Sequence, residues 1–305
     1  DQNGKFQLRG LPPGRYYLTA RVTAPAAVGR TAGRGEAAFK LVAVDGDDTV
    51  VDIQTNVGAT MSGRVVIEGS TPVAGFGTPD SSHRYLARVS ARPVDVGTNP
   101  AISPGNSVNV GEDDLTFTLA GLRGTLVPTA SGPRLTLKSV VQGGTDILKD
   151  GLSLDGTENI EGVVITMTTD VGTIDGLVTG PAGDPAEAWI IVFPDDPAKW
   201  FASSPFVRMT RSRPASAETS RAWPAASPGT TTTSAIAART GGFVTSGLLP
   251  GRYYVAVVPA ESSPYSTTTS LPPTDAESLG RLRPSATAVN VAAGQTVTLE
   301  LLVAR

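Results

Sequence analysis

The stretch GKFQLRGLPPGRYYL at residues 4–18 recurs as GGFVTSGLLPGRYYV at residues 241–255, and the two copies align without a gap. Each contains a Leu-x-Pro-Gly segment between two runs of β-forming residues. Glycine supplies a positive φ angle and proline fixes the entry to a turn, so each copy predicts two strands joined in a tight β-hairpin. A shorter third copy, FTLAGLRG, lies at residues 117–124. The pattern therefore indicates a tandem repeat of β-rich units.

The strand after the turn alternates in a way that assigns its two faces. Tyr16 and Leu18 fall on one face and Tyr17 on the other, and Tyr253 and Val255 repeat the first set in the last copy. Successive side chains of a strand point to opposite sides, so one tyrosine of each pair must point inward. Core packing is the favoured interpretation, and a sugar-stacking surface formed by the paired tyrosines is the alternative.

The repeated pattern Gly-x-Phe-x-x-x-Gly-Leu-x-Pro-Gly-x-Tyr-x-Leu/Val resembles the hallmark hairpin of carboxypeptidase regulatory-like domains. These are grouped with the transthyretin-like (prealbumin-like) and starch-binding-like folds. The resemblance implies an all-β fold of tandem Ig-like or transthyretin-like antiparallel β-sandwich domains, of the kind found in bacterial secreted and surface proteins. Because that family serves as spacer, regulator, adhesin module and transporter extension alike, the resemblance is nearly silent on function.

The composition agrees with many short strands and excludes several kinds of site. The 305 residues include 34 glycines and 24 prolines, and 6% are aromatic. So many glycines and prolines would interrupt long helices. The formal net charge of −3 does not provide the excess positive charge that binding to nucleic acid or an anionic membrane requires. The absence of cysteine removes disulfides, cysteine-zinc sites and thiol nucleophiles. No apolar run approaches the ~18–20 residues that a membrane helix needs.

Three domains are predicted from the way the copies begin and end. Each copy closes with a similar pair of strands, and two copies open with a similar Val-Gly segment. We predict domains at 1–57, 58–170 and 171–305, with linkers so short that the domains form a stiff string. Residues 1–57 are expected to be the C-terminal half of a β-sandwich, completed by upstream residues or by another chain, with a closing strand at 49–53.

The domain at 171–305 carries two long insertions rich in Ser, Thr and Pro, one before residue 241 and one between residues 261 and 284. Such composition resists packing and favours mobile surface loops. An O-glycosylated patch or an arm that orders on contact with a partner are the alternatives. Trp200, Phe201, Phe206 and Trp223 make the first insertion more aromatic than a tether requires, which favours contact with a ligand or partner.

No set of residues predicts catalysis, a cofactor or a metal. His83 is the one histidine, and no Gly-x-Ser-x-Gly elbow accompanies it. Acidic turns at 45–48, 112–114 and 195–196 could gather calcium ligands, but none matches a calcium-binding loop, and solvated turns are the favoured interpretation. The glycine-rich residues 29–35 lack the Lys-Ser/Thr of a phosphate-binding loop. We therefore predict that the chain is not an enzyme.

The first functional hypothesis is a non-catalytic structural protein of the bacterial cell surface or extracellular space, acting as a stalk, adhesin or filament subunit. In its specific form, a neighbouring subunit supplies the missing strands of residues 1–57, for example through an unpaired terminal strand, which gives head-to-tail filaments by strand addition. The second hypothesis is a carbohydrate-binding module, and the third is the accessory region of a larger secreted enzyme or TonB-type transporter. The candidate strand-exchange residues are Val297, Leu299, Leu301 and Val303. The candidate contacts to a polysaccharide or protein partner are Trp200, Phe206, Trp223 and Tyr254.

Overall fold

The computed structural model describes residues 4–22, 36–73, 75, 84–94, 107–213, 239–260 and 274–303. In these ranges the chain forms eighteen β-strands, one α-helix and two short 3-10 helices. The first eleven strands are β1 Gly14–Arg21, β2 Ala37–Val44, β3 Ala59–Glu68, β4 Tyr85–Pro93, β5 Ser107–Gly111, β6 Thr116–Leu122, β7 Gly124–Ser131, β8 Thr136–Gln142, β9 Thr145–Asp146, β10 Leu152–Leu154 and β11 Asn159–Thr168. The remaining elements are β12 Gly172–Thr179, β13 Ala188–Pro194, the 3-10 helix Pro197–Lys199, β14 Arg208–Arg211, β15 Gly242–Leu248, β16 Gly251–Pro259, α1 Ala276–Leu282, the 3-10 helix Arg283–Ser285, β17 Thr287–Val291 and β18 Thr296–Leu302.

The strands group into three units, which we call the N-terminal unit (β1 and β2), the middle unit (β3 to β11) and the C-terminal unit (β12 to β18 with α1). The middle unit has sheets of order β6-β3-β11-β8-β9 and β10-β7-β4-β5, and the C-terminal unit has sheets of order β15-β12-β18 and β14-β13-β16-β17. All strand pairs are antiparallel except β3 with β11 and β12 with β18. The predicted all-β sandwich class is confirmed, while the predicted domain limits stay a prediction.

Each sheet pair encloses an apolar core because alternate residues of the facing strands point inward. In the middle unit the core includes Met61, Val89 and Ile165, all fully buried. In the C-terminal unit the inner core includes Tyr253 and Val255, so the predicted inward face of this strand is confirmed. The opposite face of the same sheet carries a second apolar cluster, which α1 and the connection after β13 cover.

The predicted hairpin at the repeated turn is wrong. In the first copy residues 4–13 form no strand, and β1 pairs instead with β2. In the C-terminal unit both strands form, but they do not pair with each other. β15 pairs with β12, whereas β16 pairs with β13 and β17, so the turn at Leu249–Pro250 carries the chain from one sheet to the other. β6 and β7 are likewise divided between the two sheets of the middle unit. The physical reason is that both strands have an apolar face. Phe243 of one sheet and Tyr253 of the other both lie in the core between the sheets, so the two strands face each other instead of pairing side by side.

The closing strand predicted at residues 49–53 is also absent from the described structure of the N-terminal unit. β1 pairs with β2 over all eight residues, and Val50 is 92% exposed. In the other two units the closing strand, β11 or β18, pairs in parallel with the opening strand, β3 or β12. The described part of the N-terminal unit holds β1 and β2 but no such opening strand. Its closing segment therefore lacks the parallel neighbour that β11 and β18 have.

No helix in the described ranges combines the length and the apolar character that crossing a membrane requires.

Candidate functional site

The candidate site is the connection between β13 and β14, residues 195–207, which we call the arm. Asp196 begins it by accepting a 3.0 Å hydrogen bond from the Ala198 N–H, which caps the 3-10 helix Pro197–Lys199. Trp200 follows, and its indole N–H donates to the Pro194 carbonyl at 2.7 Å. Its ring meets the edge of Phe193 with 5.4 Å between ring centroids. The base of the arm is therefore fixed on its own unit.

Two candidate contact residues, Trp200 and Tyr254, lie in this covered cluster instead of on an open surface. Trp200 is 7% exposed and Tyr254 is 9% exposed. Arg283 donates to the Tyr254 hydroxyl at 3.1 Å, and its guanidinium lies 5.0 Å from the centre of the Tyr254 ring. Tyr254 thus faces away from the inner core, as its alternation with Tyr253 predicts, but α1, Arg283 and the arm cover that face of the sheet, so it is not an exposed contact residue. Trp223 and His83 lie outside the described residues.

The tip of the arm contacts the middle unit. Phe201 and Phe206 pack against the apolar core of that unit, although they belong to the connection after β13. Arg92 of β4 donates a 3.0 Å hydrogen bond to the carbonyl of Ser203, a residue with a positive φ of 57°. Burial lowers the pKa of Arg92 from its usual value, but the guanidinium keeps its charge at every physiological pH. The aromatic content of the arm thus has a partner within the same chain.

A second contact joins the same two units at the Gly247 carbonyl, to which an arginine of the C-terminal unit also bonds. The Thr136 hydroxyl of β8 donates to the Gly247 carbonyl at 3.3 Å, and Arg208 of β14 donates to the same carbonyl at 3.4 Å. Gly247 has a φ of 72°, and a Cβ there would lie 2.9 Å from the Thr136 hydroxyl oxygen. The repeated turn therefore lies directly at the joint between the middle and C-terminal units.

The joint between the N-terminal and middle units is built on Asn56. Its backbone exchanges hydrogen bonds of 2.9 and 3.1 Å with Ala37 of β2. Its side-chain oxygen accepts from the Gly58 N–H at 3.0 Å and from Arg123 Nε at 3.1 Å, and its amide nitrogen donates to the Asp155 carbonyl at 3.3 Å. Arg123 also donates to the Asn56 carbonyl. One side chain therefore ties the last residues of the N-terminal unit to two loops of the middle unit.

Sequence reasoning identified the aromatic residues of the arm but missed Asn56, Arg92 and Arg123. Their partners lie 111 residues away for Arg92 and 67 residues away for Arg123. No local pattern marks such pairs. The one available signal is the recurrence of Asn56-Val57-Gly58 as Asp170-Val171-Gly172, since both segments stand where one unit passes to the next.

A shallow groove of about 290 Å³ opens beside the arm. Its walls include Asp195, Lys199, Phe206, Pro250 and Arg252. Asp195 already has cationic partners, Arg283 at 3.2 Å and Arg252 at 4.0 Å. Lys199 lies 5.3 Å from the centre of the Phe206 ring. Within the described ranges no three His, Cys, Asp or Glu residues gather in a group able to hold a metal ion.

The predicted strand-exchange residues belong to β18, and the expectation that this strand is unpaired is wrong. β18 pairs in parallel with β12 from Thr173↔Thr296 to Thr179↔Leu302. Leu301 is buried in the inner core, and Leu299 and Val303 pack against it. The physical reason is the alternation of β18, whose apolar residues fill the core of its own unit. Removing the strand to donate it elsewhere would open that core.

These features define the class of the protein: a chain of β-rich units joined by specific hydrogen bonds and apolar contacts. No family model and no curated protein matches the sequence. Among solved structures, the chain is similar to the Bacillus anthracis TIE protein (12% identity, TM-score 0.22), with 96% of this chain and 42% of that one covered. It is also similar to GBS52, the minor pilin of Streptococcus agalactiae (15%, 0.24, covering 79% and 94%). A third is BcpA, the major pilin subunit of Bacillus cereus (11%, 0.25, covering 96% and 85%).

The chain thus spans less than half the length of the TIE protein it matches. Similarities with identities of 11–15% and TM-scores of 0.22–0.25 define neither the fold nor the function of this chain. The resemblance to carboxypeptidase regulatory-like domains stays a prediction.

Proposed function

We propose that this chain is a non-catalytic structural protein of the bacterial cell surface or extracellular space, acting as a stiff stalk or as the shaft of an adhesin or filament subunit. The observation that carries the proposal is the joint between the middle and C-terminal units. A loop of one unit inserts two phenylalanines against the core of the other, and a half-buried arginine bonds to the loop backbone. A flexible tether needs none of these contacts.

The joint resists bending for a physical reason. Moving the units apart would expose Phe201 and Phe206 to water and leave the Ser203 carbonyl without the Arg92 guanidinium. Fully burying an aromatic side chain is worth about 1.5–3 kcal/mol, and each of these two partly buried rings gains a fraction of that. The hydrogen bond from Arg92 adds a further contribution, which solvent screening reduces. These contributions favour one orientation over an ensemble of orientations. The Asn56 contacts serve the same purpose at the other joint.

The proposal is tested by small-angle X-ray scattering on the 305-residue chain and on the double variant Arg92→Ala/Phe201→Ala. The scattering curve of the wild type should be fitted by a single rigid shape. The curve of the variant should be fitted only by an ensemble of several shapes. Arg88→Ala is the matched control, because Arg88 lies on the same strand and bonds to Ser107 Oγ within its own unit. A wild-type curve that only a flexible ensemble fits would refute the stalk.

A second candidate function is carbohydrate binding in the groove beside the arm. The observation that favours it is the combination of an aromatic ring, Phe206, with charged groups on Asp195, Lys199 and Arg252, since ligand sites join apolar surface to a few polar groups. On this proposal a glycan array detects binding that Arg252→Ala removes and Arg281→Ala, a change at an exposed helix position, preserves. If the wild type binds no glycan on a broad array, carbohydrate binding is refuted and only the structural function is retained.

A further inference from the structure

The outer edge of β18 differs from the equivalent edge of the middle unit. β11 and β18 are the closing strands of their units, and each pairs in parallel with an opening strand. On its other side β11 pairs antiparallel with β8, with Val164 opposite Val141 and Ile165 opposite Val140. β18 is the end of its sheet, and no strand of the described residues takes the place that β8 takes beside β11.

This open edge leaves the core of the C-terminal unit incompletely covered. The inward-facing residues of β11, which are Val163, Ile165 and Met167, are all fully buried. The corresponding residues of β18 are buried only at Leu301, while Val297 and Leu299 stay half-buried. Beside them Leu302 is 63% exposed. An added strand at this edge would bury apolar side chains that the middle unit buries under β8.

The edge also lacks the features that usually prevent strand addition. The Val303 N–H donates to Thr179 and the Gln295 carbonyl accepts from Thr173, so alternate residues of β18 face β12. The backbone groups of Thr296, Thr298, Glu300 and Leu302 therefore point away from the sheet. The seven residues contain no proline, the pairing with β12 has no bulge, and the strand carries a single charge. A long, regular and mostly apolar edge is a template for another strand.

We propose that the partner of this edge is β18 of a second copy of the chain, added antiparallel so that the two three-stranded sheets become one six-stranded sheet. Within the described residues, the even-numbered positions of β18 are the ones whose backbone groups point away from β12, which restricts the register. In one register Leu299 lies opposite Leu299 of the second copy. This register pairs Thr298 with Glu300 and Thr296 with Leu302, so all seven residues of β18 have a partner. A register with Glu300 opposite Glu300 is disfavoured by like charge.

This pairing is closed, since the same edge is used by both copies about a twofold axis. It joins two chains side by side and adds no third. It goes beyond the proposed stalk function and does not depend on it, because a stiff chain and a flexible one have the same β18 edge. Scattering tests the joints between units, and the experiments below test this edge.

The register is tested by single cysteines, because the chain contains none of its own. Residues directly opposite in a non-hydrogen-bonded antiparallel pair have Cα atoms about 4.5 Å apart, which a disulfide can span. Leu299→Cys should therefore form a disulfide-linked dimer under mild oxidation. Val297→Cys is the matched control on the same face of the same strand. It lies opposite Leu301 of the second copy and should stay uncrosslinked. Crosslinking of neither variant, or of both equally, would overturn the proposal.

Sedimentation analysis of the unmodified chain provides the second test. The wild type should show a monomer–dimer equilibrium, and Glu300→Pro, which removes an outward N–H and blocks the edge, should be monomeric with unchanged circular dichroism. Glu300→Ala is the control, because it removes the charge and keeps the backbone donor, so it should dimerise. A wild type that stays monomeric at high concentration, a dimeric proline variant, or open-ended oligomers would each contradict twofold pairing through β18.

Discussion

The hydroxyl of Tyr253 donates a 2.8 Å hydrogen bond to the carbonyl of Leu249, four residues earlier and on the other side of the Pro250-Gly251 turn. Tyr16 makes the same bond to the carbonyl of Pro12 at 2.7 Å. The two pairs occupy the same places in the repeated sequence. The inward tyrosine thus does more than fill the core, since it also fixes the chain where it leaves one sheet for the other.

Replacing Tyr253 by Phe should destabilise the C-terminal unit by about 1 kcal/mol. The substitution keeps the ring in the core and removes only the hydrogen bond to Leu249, whose typical net contribution is about 0.5–1.5 kcal/mol. Tyr16→Phe is the control and should have a smaller effect, because its hydrogen bond is exposed to solvent. Denaturant unfolding followed by circular dichroism measures both changes. Equal losses in the two variants would contradict a role for burial.

The same tyrosine should make the protein sensitive to high pH. Burial raises the pKa of Tyr253 above its ordinary value, and the nearby Arg208 opposes that shift. The unfolded chain then loses the phenolic proton at a lower pH than the folded chain. The contribution to stability is complete below the unfolded pKa, about 10, and is lost as pH rises through the folded pKa. The fall in Tm at alkaline pH should be shallower in Tyr253→Phe, and identical slopes would contradict this.

Two glycines should respond to alanine in opposite directions. Gly247 has a φ of 72° and a neighbour 2.9 Å from the position of a new Cβ, so Gly247→Ala should destabilise by about 1–2 kcal/mol. Gly280 lies within α1 with nothing within 4 Å of a new Cβ, so Gly280→Ala should stabilise by about 0.5–1 kcal/mol. Thermal unfolding of the two variants measures both effects. A stable Gly247→Ala protein would contradict the tight contact at the joint.

Asn56→Ala should loosen the joint between the N-terminal and middle units while leaving the middle core intact. The change removes the acceptor for Gly58 and Arg123 and the donor to Asp155. Limited proteolysis should then cut faster near residues 54–58. Thr55→Ala is the control, because the described contact of the Thr55 side chain is a hydrogen bond to Glu36, which precedes β2 and does not belong to the middle unit. Unchanged cleavage in Asn56→Ala would show that this residue does not hold the joint.

The sequence was sufficient for the fold class and for the inward face of the repeated strand, because alternation and turn residues are local signals. It was misleading about the turn itself. Glycine and proline mark a reversal, but whether β15 and β16 pair with each other or face each other depends on β12 and β13, which are distant in sequence. The burial of Tyr254 under α1 was hidden for the same reason, since the cover comes from residues 276–283.

The candidate site could be predicted only in part. The aromatic content of the arm indicated a contact surface, but its partner in the middle unit depends on the placement of two units relative to each other. The opposite error occurred at residues 49–53, where a strand pattern exists and no strand forms. A strand needs a neighbour for its backbone hydrogen bonds, and local sequence does not supply that neighbour.

The most direct test of the stalk is a distance measurement between the middle and C-terminal units. Nitroxide labels can be placed on the double variant Lys149→Cys/Glu277→Cys, because both positions are exposed and the chain contains no cysteine of its own. Dilution with unlabelled chain then ensures that each measured distance lies within one molecule. Pulsed electron resonance should give a single narrow distribution, which should broaden in the Arg92→Ala/Phe201→Ala background. A broad distribution in the otherwise unchanged chain would mean that the units move independently and that the chain is not a stiff stalk.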